Sequence, residues 1–278
     1  METGQLPVLH VVRESFALAW AWRRGFLAGA GVLGAVGAGA QVATAATAGG
    51  EGLGPVLVVV DLLLTVFFTT AILKLGVKGA QPGPLALDIG VDALRVLAAQ
   101  IITTLFVIVA AIPAVLIASV LMSGVLSATG ASAPPTSGDP LSWFASLPAP
   151  AAIGVGIIFI AFIAAIGWVA ARLSVAPAAT VARGRLVILE TWGWTKGEGV
   201  RILGTLALTT LPALLALLAF GSALDALSGG GEAGGQPNLM MEAVSGFAMG
   251  AAEALLLTLV GAALTIILWR GFDPEAGR

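Results

Sequence analysis

Long apolar runs alternate with short polar ones along the whole chain, and six apolar runs come close to or exceed the roughly 20 residues that cross a bilayer as a helix. They are Phe26–Ala46, Val56–Val77, Ile101–Met122, Ala151–Arg172, Ile202–Phe220 and Ala243–Trp269. Between them, three segments have helical periodicity with charges on one side. In Pro7–Arg24, Leu9, Val12, Phe16 and Trp20 recur at helical spacing while Arg13, Glu14, Arg23 and Arg24 take other faces, which predicts an amphipathic helix lying at the membrane surface. After a break at Ala80–Pro84, Leu85–Ala99 predicts a second such helix carrying Asp88, Asp92 and Arg95. Leu186–Thr195 predicts a third, short one, ended by Gly197. It lies in the most polar stretch of the chain, the connector Ala171–Gly204. Gly49–Gly54, Leu126–Pro150 and Asp225–Asn238 read as loops on the other side. Pro113 and Pro212 fall inside spans, where each predicts a kink.

Composition agrees with a lipid-solvated chain: of 278 residues, 58% are hydrophobic and 10% charged. With no cysteine there is no disulfide, thiolate metal site or cysteine nucleophile. A single histidine, His10, rules out multi-histidine metal and haem sites, and no cofactor is expected. Ala46-Thr47-Ala48 resembles a leader cleavage site, but the apolar run before it exceeds the usual 7–15 or so residues and reads as a span. Charge placement adds orientation. All 13 Lys and Arg fall on one side of the six spans or at its boundary, whereas the opposite loops hold Glu51, Asp139, Asp225 and Glu232. Basic loops stay cytoplasmic, so the expectation is a multi-pass protein of a bacterial-type inner (plasma) membrane with both termini inside.

A weak internal repeat runs through the pattern. Lys74, Arg172 and Arg270 close the even-numbered spans at equal intervals of 98 residues, and Asp92 and Glu190 keep the same interval. Trp20-x-Trp22-x-Arg24-Gly25 parallels Trp192-x-Trp194-x-Lys196-Gly197. These echoes divide a single membrane domain into three pseudo-repeated units, about 7–82, 83–182 and 183–278, each an interfacial helix followed by a transmembrane hairpin. The expected fold class is all-α, a six-helix integral membrane bundle with three cytoplasmic interfacial helices.

The run Arg172-Leu173-Ser174, Pro177-Ala178, Glu190-Thr191-Trp192 and Thr195-Lys196-Gly197 resembles a pattern in the membrane domain of glycerophosphoryl diester phosphodiesterases and related six-span prokaryotic proteins of unknown function. The resemblance implies the six-span layout. It does not imply phosphodiesterase activity, because the catalytic barrel of the fused members has no counterpart before Arg278.

Candidate chemistry is sparse. Asp61, Thr65 and Thr69 form a polar stripe on one helix face, and Glu242, Gly246, Gly250 and Glu253 form another. At about 1.5 Å per residue, Asp61 lies roughly 20 Å above Lys74 and Glu253 roughly 25 Å above Arg270. A buried carboxylate in hydrocarbon is costly, so both are expected to face a hydrated interior crevice, with Gln41 close by. That set (Asp61, Glu253, Gln41, Thr65) suits a proton, cation or headgroup site, or else a wet crevice without transport. The cytoplasmic set Arg172, Arg183, Arg185, Lys196 and Arg201, with Arg23 and Arg24, suits anionic lipid headgroups, or serves only as the orientation signal. Tryptophans 20, 22, 192, 194 and 269 read as an aromatic belt, and Ala30, Gly34 and Ala38 as a packing face. No Ser-His-Asp set can be assembled, and Gly229-Gly230-Gly231 lacks the lysine of a phosphate cradle. The expectation is a non-catalytic module that binds membrane lipids or other membrane proteins, and no nucleic acid, through its cytoplasmic helices and interior cleft. The alternative is a small transporter or channel using the intramembrane carboxylates.

Overall fold

The structure, a computed structural model, describes residues 7–46, 54–132, 140–227 and 238–273. The acidic loop residues Glu51, Asp139 and Glu232 lie outside the described residues, as do Gly229-Gly230-Gly231, Arg278 and the side chain of Asp225. The described chain is all helix and loop. Six helical runs are long and apolar enough to cross a membrane: Val8–Ala46, Pro55–Lys78, Val91–Thr129, Ala149–Arg183, Gly199–Leu224 and Leu239–Phe272. By length and composition this is a multi-pass membrane protein.

Two expected boundaries do not occur. The helix α1 (Val8–Ala46) runs unbroken through Arg24-Gly25, so the amphipathic segment and the first span are one rod of 39 residues. Likewise α3 (Val91–Thr129), also 39 residues, fuses the end of the second amphipathic segment with the third span, and Leu85–Gly90 is turn and loop. A lone glycine costs a helix roughly 1 kcal/mol but does not end it without a cap or proline. Gly130, where α3 does end, is left-handed and gives its N–H to the Leu126 and Ser127 carbonyls. At about 1.5 Å per residue each rod is about 58 Å long, nearly twice a hydrocarbon core of about 30 Å. Their charged first turns therefore extend well past it.

Between these rods lies α2 (Gly54–Lys78). The loop read over Leu126–Pro150 is partly helical, since α3 continues to Thr129 and a short α4 (Pro140–Ser146) precedes α5 (Ala149–Leu173). The connector holds α6 (Ala176–Arg183) and α7 (Leu189–Trp194). Then α8 (Gly199–Leu227) reaches further than the fifth span as read, and both Pro113 and Pro212 sit inside unbroken helices. Asn238 caps α9 (Leu239–Glu253), its side chain accepting from Met240 and Met241 N–H groups at 3.2 and 3.3 Å. One π turn, Ala254–Thr258, joins α9 to α10 (Leu259–Phe272).

The core forms around α10, which buries nine of its residues, from Leu259 to Trp269, against α1, α2, α6 and α8. Further along, α1 and α9 touch backbone to backbone. A Cβ on Gly37 would lie 2.5 Å from the Gly246 carbonyl oxygen, one on Gly246 2.6 Å from that of Gly37, and one on Gly250 2.9 Å from that of Leu33. Gly34 meets the Phe247 carbonyl in the same way, at 2.7 Å. The small-residue faces anticipated on the first and sixth spans are thus matched to each other, and the last hairpin closes on the first. The stripe Leu9, Phe16 and Trp20 points outward, whereas Val11, Ser15, Ala19 and Phe26 pack inward.

Candidate functional site

At the basic end, three polar assemblies tie the connectors to the bundle. In the first, Asp88 and Asp92 face the end of α2. Lys74 Nζ lies 2.6 Å from Asp88 and 3.9 Å from Asp92, Lys78 lies 2.7 Å from Asp92, and Arg95 reaches Asp92 at 3.0 Å. Partial burial works to raise the Asp92 carboxyl, but the Lys78 contact and then Arg95 and Lys74 outweigh it and hold the group below the usual carboxylate range. Asp88 also receives the Gly90 N–H at 2.9 Å, which shapes the turn into α3.

The second assembly surrounds Arg172, which is only 7% exposed. Its guanidinium lies 3.9 Å from the Trp192 ring centroid and 5.2 Å from that of Trp168, the two indoles meeting edge to face. It donates to the Trp192 carbonyl and to Thr195 Oγ1. Arg172 is therefore the pin that holds α7 against α5. In the third, Arg183 bridges Glu190 at 3.1 Å and Asp273 at 2.9 Å beneath the Trp194 ring, and Trp269 Nε1 donates to Asp273 at 2.8 Å. Arg185 takes Glu190 with both terminal nitrogens, at 2.7 and 3.1 Å. That pairing, opposed by a smaller desolvation effect and reinforced by Arg183, draws the Glu190 carboxyl down.

Of the five cations read as headgroup contacts, Arg172, Arg183 and Arg185 thus spend their donors on this chain, and Arg201 pairs with Glu198 at 3.0 Å. Lys196 is exposed and without an ion pair among the described residues. The tryptophans divide in the same way. Trp20 is exposed under the Arg23 guanidinium, while Trp22 packs near Gly76 and Trp192, Trp194 and Trp269 serve the polar assemblies. Arg270 donates to the Gly76 carbonyl at 2.7 Å.

The intramembrane carboxylates are not enclosed. Asp61 and Glu253 are both exposed on the surface of the bundle, and neither makes a hydrogen bond or ion pair with a described residue. The expectation that they face inward does not hold: both side chains are exposed, and where α9 meets α1 the helices are in glycine-to-glycine backbone contact. Gln41 is exposed, with its stem against Gly246; Thr65 is half-buried on α2.

An unforeseen cavity lies lower, flanking α3. It has a volume of about 600 Å³ and runs between Leu62 of α2, Gln100, Thr104 and Ile108 of α3, and Leu173 and Pro177 at the α5–α6 junction. Its α3 wall is open, with Ile101 and Leu105 more than half exposed. Thr103 Oγ1 is buried there without a hydrogen-bond partner. A second hollow of about 330 Å³ on the other side of Leu173 is lined by Phe106, Val109, Val169, Leu189 and Trp192. In sequence, Gln100, Thr103 and Thr104 sit at the foot of an apolar run, and the pair of hydroxyls one turn from an amide was the available signal. No known family, curated protein or solved structure matches the chain.

Proposed function

We propose that this chain is a non-catalytic membrane module that holds lipid in the groove between α2 and α3. The observation that carries the reading is the groove itself. At about 600 Å³, it falls within the range of about 300–1,000 Å³ typical of small-molecule sites. It is open on the side of the apolar α3 face, and it contains polar side chains that the protein does not satisfy. The basic end contributes less to this reading than its charge suggests, because most of its cations are already paired. Lys196 and the exposed Arg13 and Arg24 are the groups left to meet anionic headgroups or a partner protein.

In the same proposal the basic end is cytoplasmic, with both termini, in a bacterial-type inner membrane, and the three units are repeats of one hairpin. The likeness to the phosphodiesterase membrane domains accords with a module of this kind. The transport alternative is the weaker of the two, since Asp61 and Glu253 share no enclosed path. Mass spectrometry of lipids retained after extensive detergent washing tests the reading. At least one lipid should remain per chain and should be lost in Leu105→Trp, which fills the groove; retention no higher than the detergent background sinks it. Orientation is checked separately. A cysteine at Ser132 should react with an impermeant thiol reagent in intact cells, and one at Lys196 should be shielded.

A further inference from the structure

We infer that the groove selects an uncharged lipid carrying hydroxyl or ester oxygens, held by Gln100, Thr103 and Thr104; this rests on the lipid-binding reading above. Three observations lead there. First, no charged side chain lines the groove, and the cations on the helices that flank it are engaged elsewhere: Lys74, Lys78 and Arg95 by Asp88 and Asp92, and Arg172, beside Leu173, by Trp192 and Thr195. A phosphate would have to break those ion pairs and leave water to enter.

Second, the groove has hydrogen-bonding capacity with nothing to use it. Thr70, Thr129, Thr205 and Thr265 return their hydroxyls to the carbonyl four residues back, the usual way for a helix in lipid to satisfy threonine. Thr103 and Thr104 do not, nor do Thr65, Thr69 and Thr209, but the pair at 103 and 104 lines a cavity of ligand size. Gln100 likewise has no partner among the described residues, leaving two donors and an acceptor free. One helical turn separates this amide from the hydroxyls, so the three groups form a short column about 5–6 Å long. Beyond it the wall is apolar for roughly another turn, to Ile108.

Third, the second hollow shares α3 and Leu173 but is lined by apolar side chains and the Trp192 ring. A bare hydrocarbon tail suits that one. The hydroxylated groove suits a molecule with a tail and a neutral oxygen-bearing end.

The test uses the full chain, delipidated in non-ionic detergent, offered equal concentrations of dioleoylglycerol, dioleoylphosphatidylglycerol and squalene, with adducts counted by native mass spectrometry. Dioleoylglycerol should exceed each of the others by about fivefold or more, the worth of one hydrogen bond. The triple variant Gln100→Leu, Thr103→Val, Thr104→Val should lower its binding to the squalene level while melting no earlier than the parent. Preference for phosphatidylglycerol, or a triple variant that binds dioleoylglycerol as the parent does, overturns the inference and leaves the lipid-binding reading standing. Binding of no lipid by the parent, with Leu105→Trp indistinguishable from it, overturns both.

Discussion

The α1–α9–α10 region and the α3–α5 pair are built from the same residue types yet packed by opposite rules. Where α1 meets α9, glycines bring the backbones into contact and leave no void, and α10 is buried on nearly all sides. Where α3 meets α5, the contact is a side-chain one: Gly154 faces the Val125 methyls, and the apolar middle of α3 is bare. In lipid there is no hydrophobic gain in burying leucine against leucine, so backbone-to-backbone association depends on fit between small residues, and a pair lacking it meets through its side chains. The glycine seam marks the scaffold; the groove opens beside α3, between Leu62 of α2 and the α5–α6 junction.

The sharpest way to break this comparison is to enlarge glycines on each side of it. Gly37→Val should destabilise the protein by about 3 kcal/mol or more, because carbonyl oxygens stand where the side chain would go. At Gly124 of α3 no atom lies within 4 Å of a new Cβ. Gly124→Val should therefore change stability by less than about 1 kcal/mol. Thermal unfolding in detergent reads both, and equal losses would show that the two regions are not packed differently.

A smaller effect is expected where the connector joins α5. Arg172→Met removes charge-assisted hydrogen bonds and two ring contacts from a buried site, at a cost of about 2–3 kcal/mol. Arg201→Met, at the more exposed Glu198 pair, should cost about 1 kcal/mol or less. If the two variants melt alike, Arg172 is not the pin described. Smallest is the response to acid. Asp92 and Glu190 have carboxyls held low by their cations. Their contribution is present above the ordinary carboxylate pKa of about 4 and is lost as pH falls through the lower folded value. Melting temperature should stay level from neutrality to about pH 5 and decline below about pH 4. The decline should shrink in Asp92→Asn, and an unchanged acid limb in that variant would discount the pair.

Span number was legible because runs of about 20 apolar residues have one economical solution in a bilayer; helix length was not, since α1 and α3 each run on through their amphipathic ends. The glycine seam was legible too, as small residues spaced four apart on two segments. Facing was not. Leu9, Phe16 and Trp20 form the textually obvious stripe, but lipid takes that stripe as readily as protein does, and the chain packs through Ser15 and Ala19 instead. The same ambiguity misplaced Asp61 and Glu253. A costly carboxylate argues for an inward position only if the interior has room, and at the α1–α9 seam, where Gly37 meets Gly246, the backbones themselves take that room. Arg172 was visible as a charge; that its partners would be Trp168, Trp192 and Thr195 depended on the connector folding back onto α5.

The π turn at Ala254–Thr258 gives the last helix a property that neither half has alone. Each residue turns an α-helix by about 100°, so one extra residue absorbed in a wide turn offsets the two halves like gears keyed at different angles on one shaft. The stretch before it can keep the Gly246–Gly250 column on α1, while the stretch after it presents Leu264, Ile266 and Ile267 to the other neighbours of α10. A single continuous helix thereby serves two packing registers, and Glu253 sits at the coupling between them.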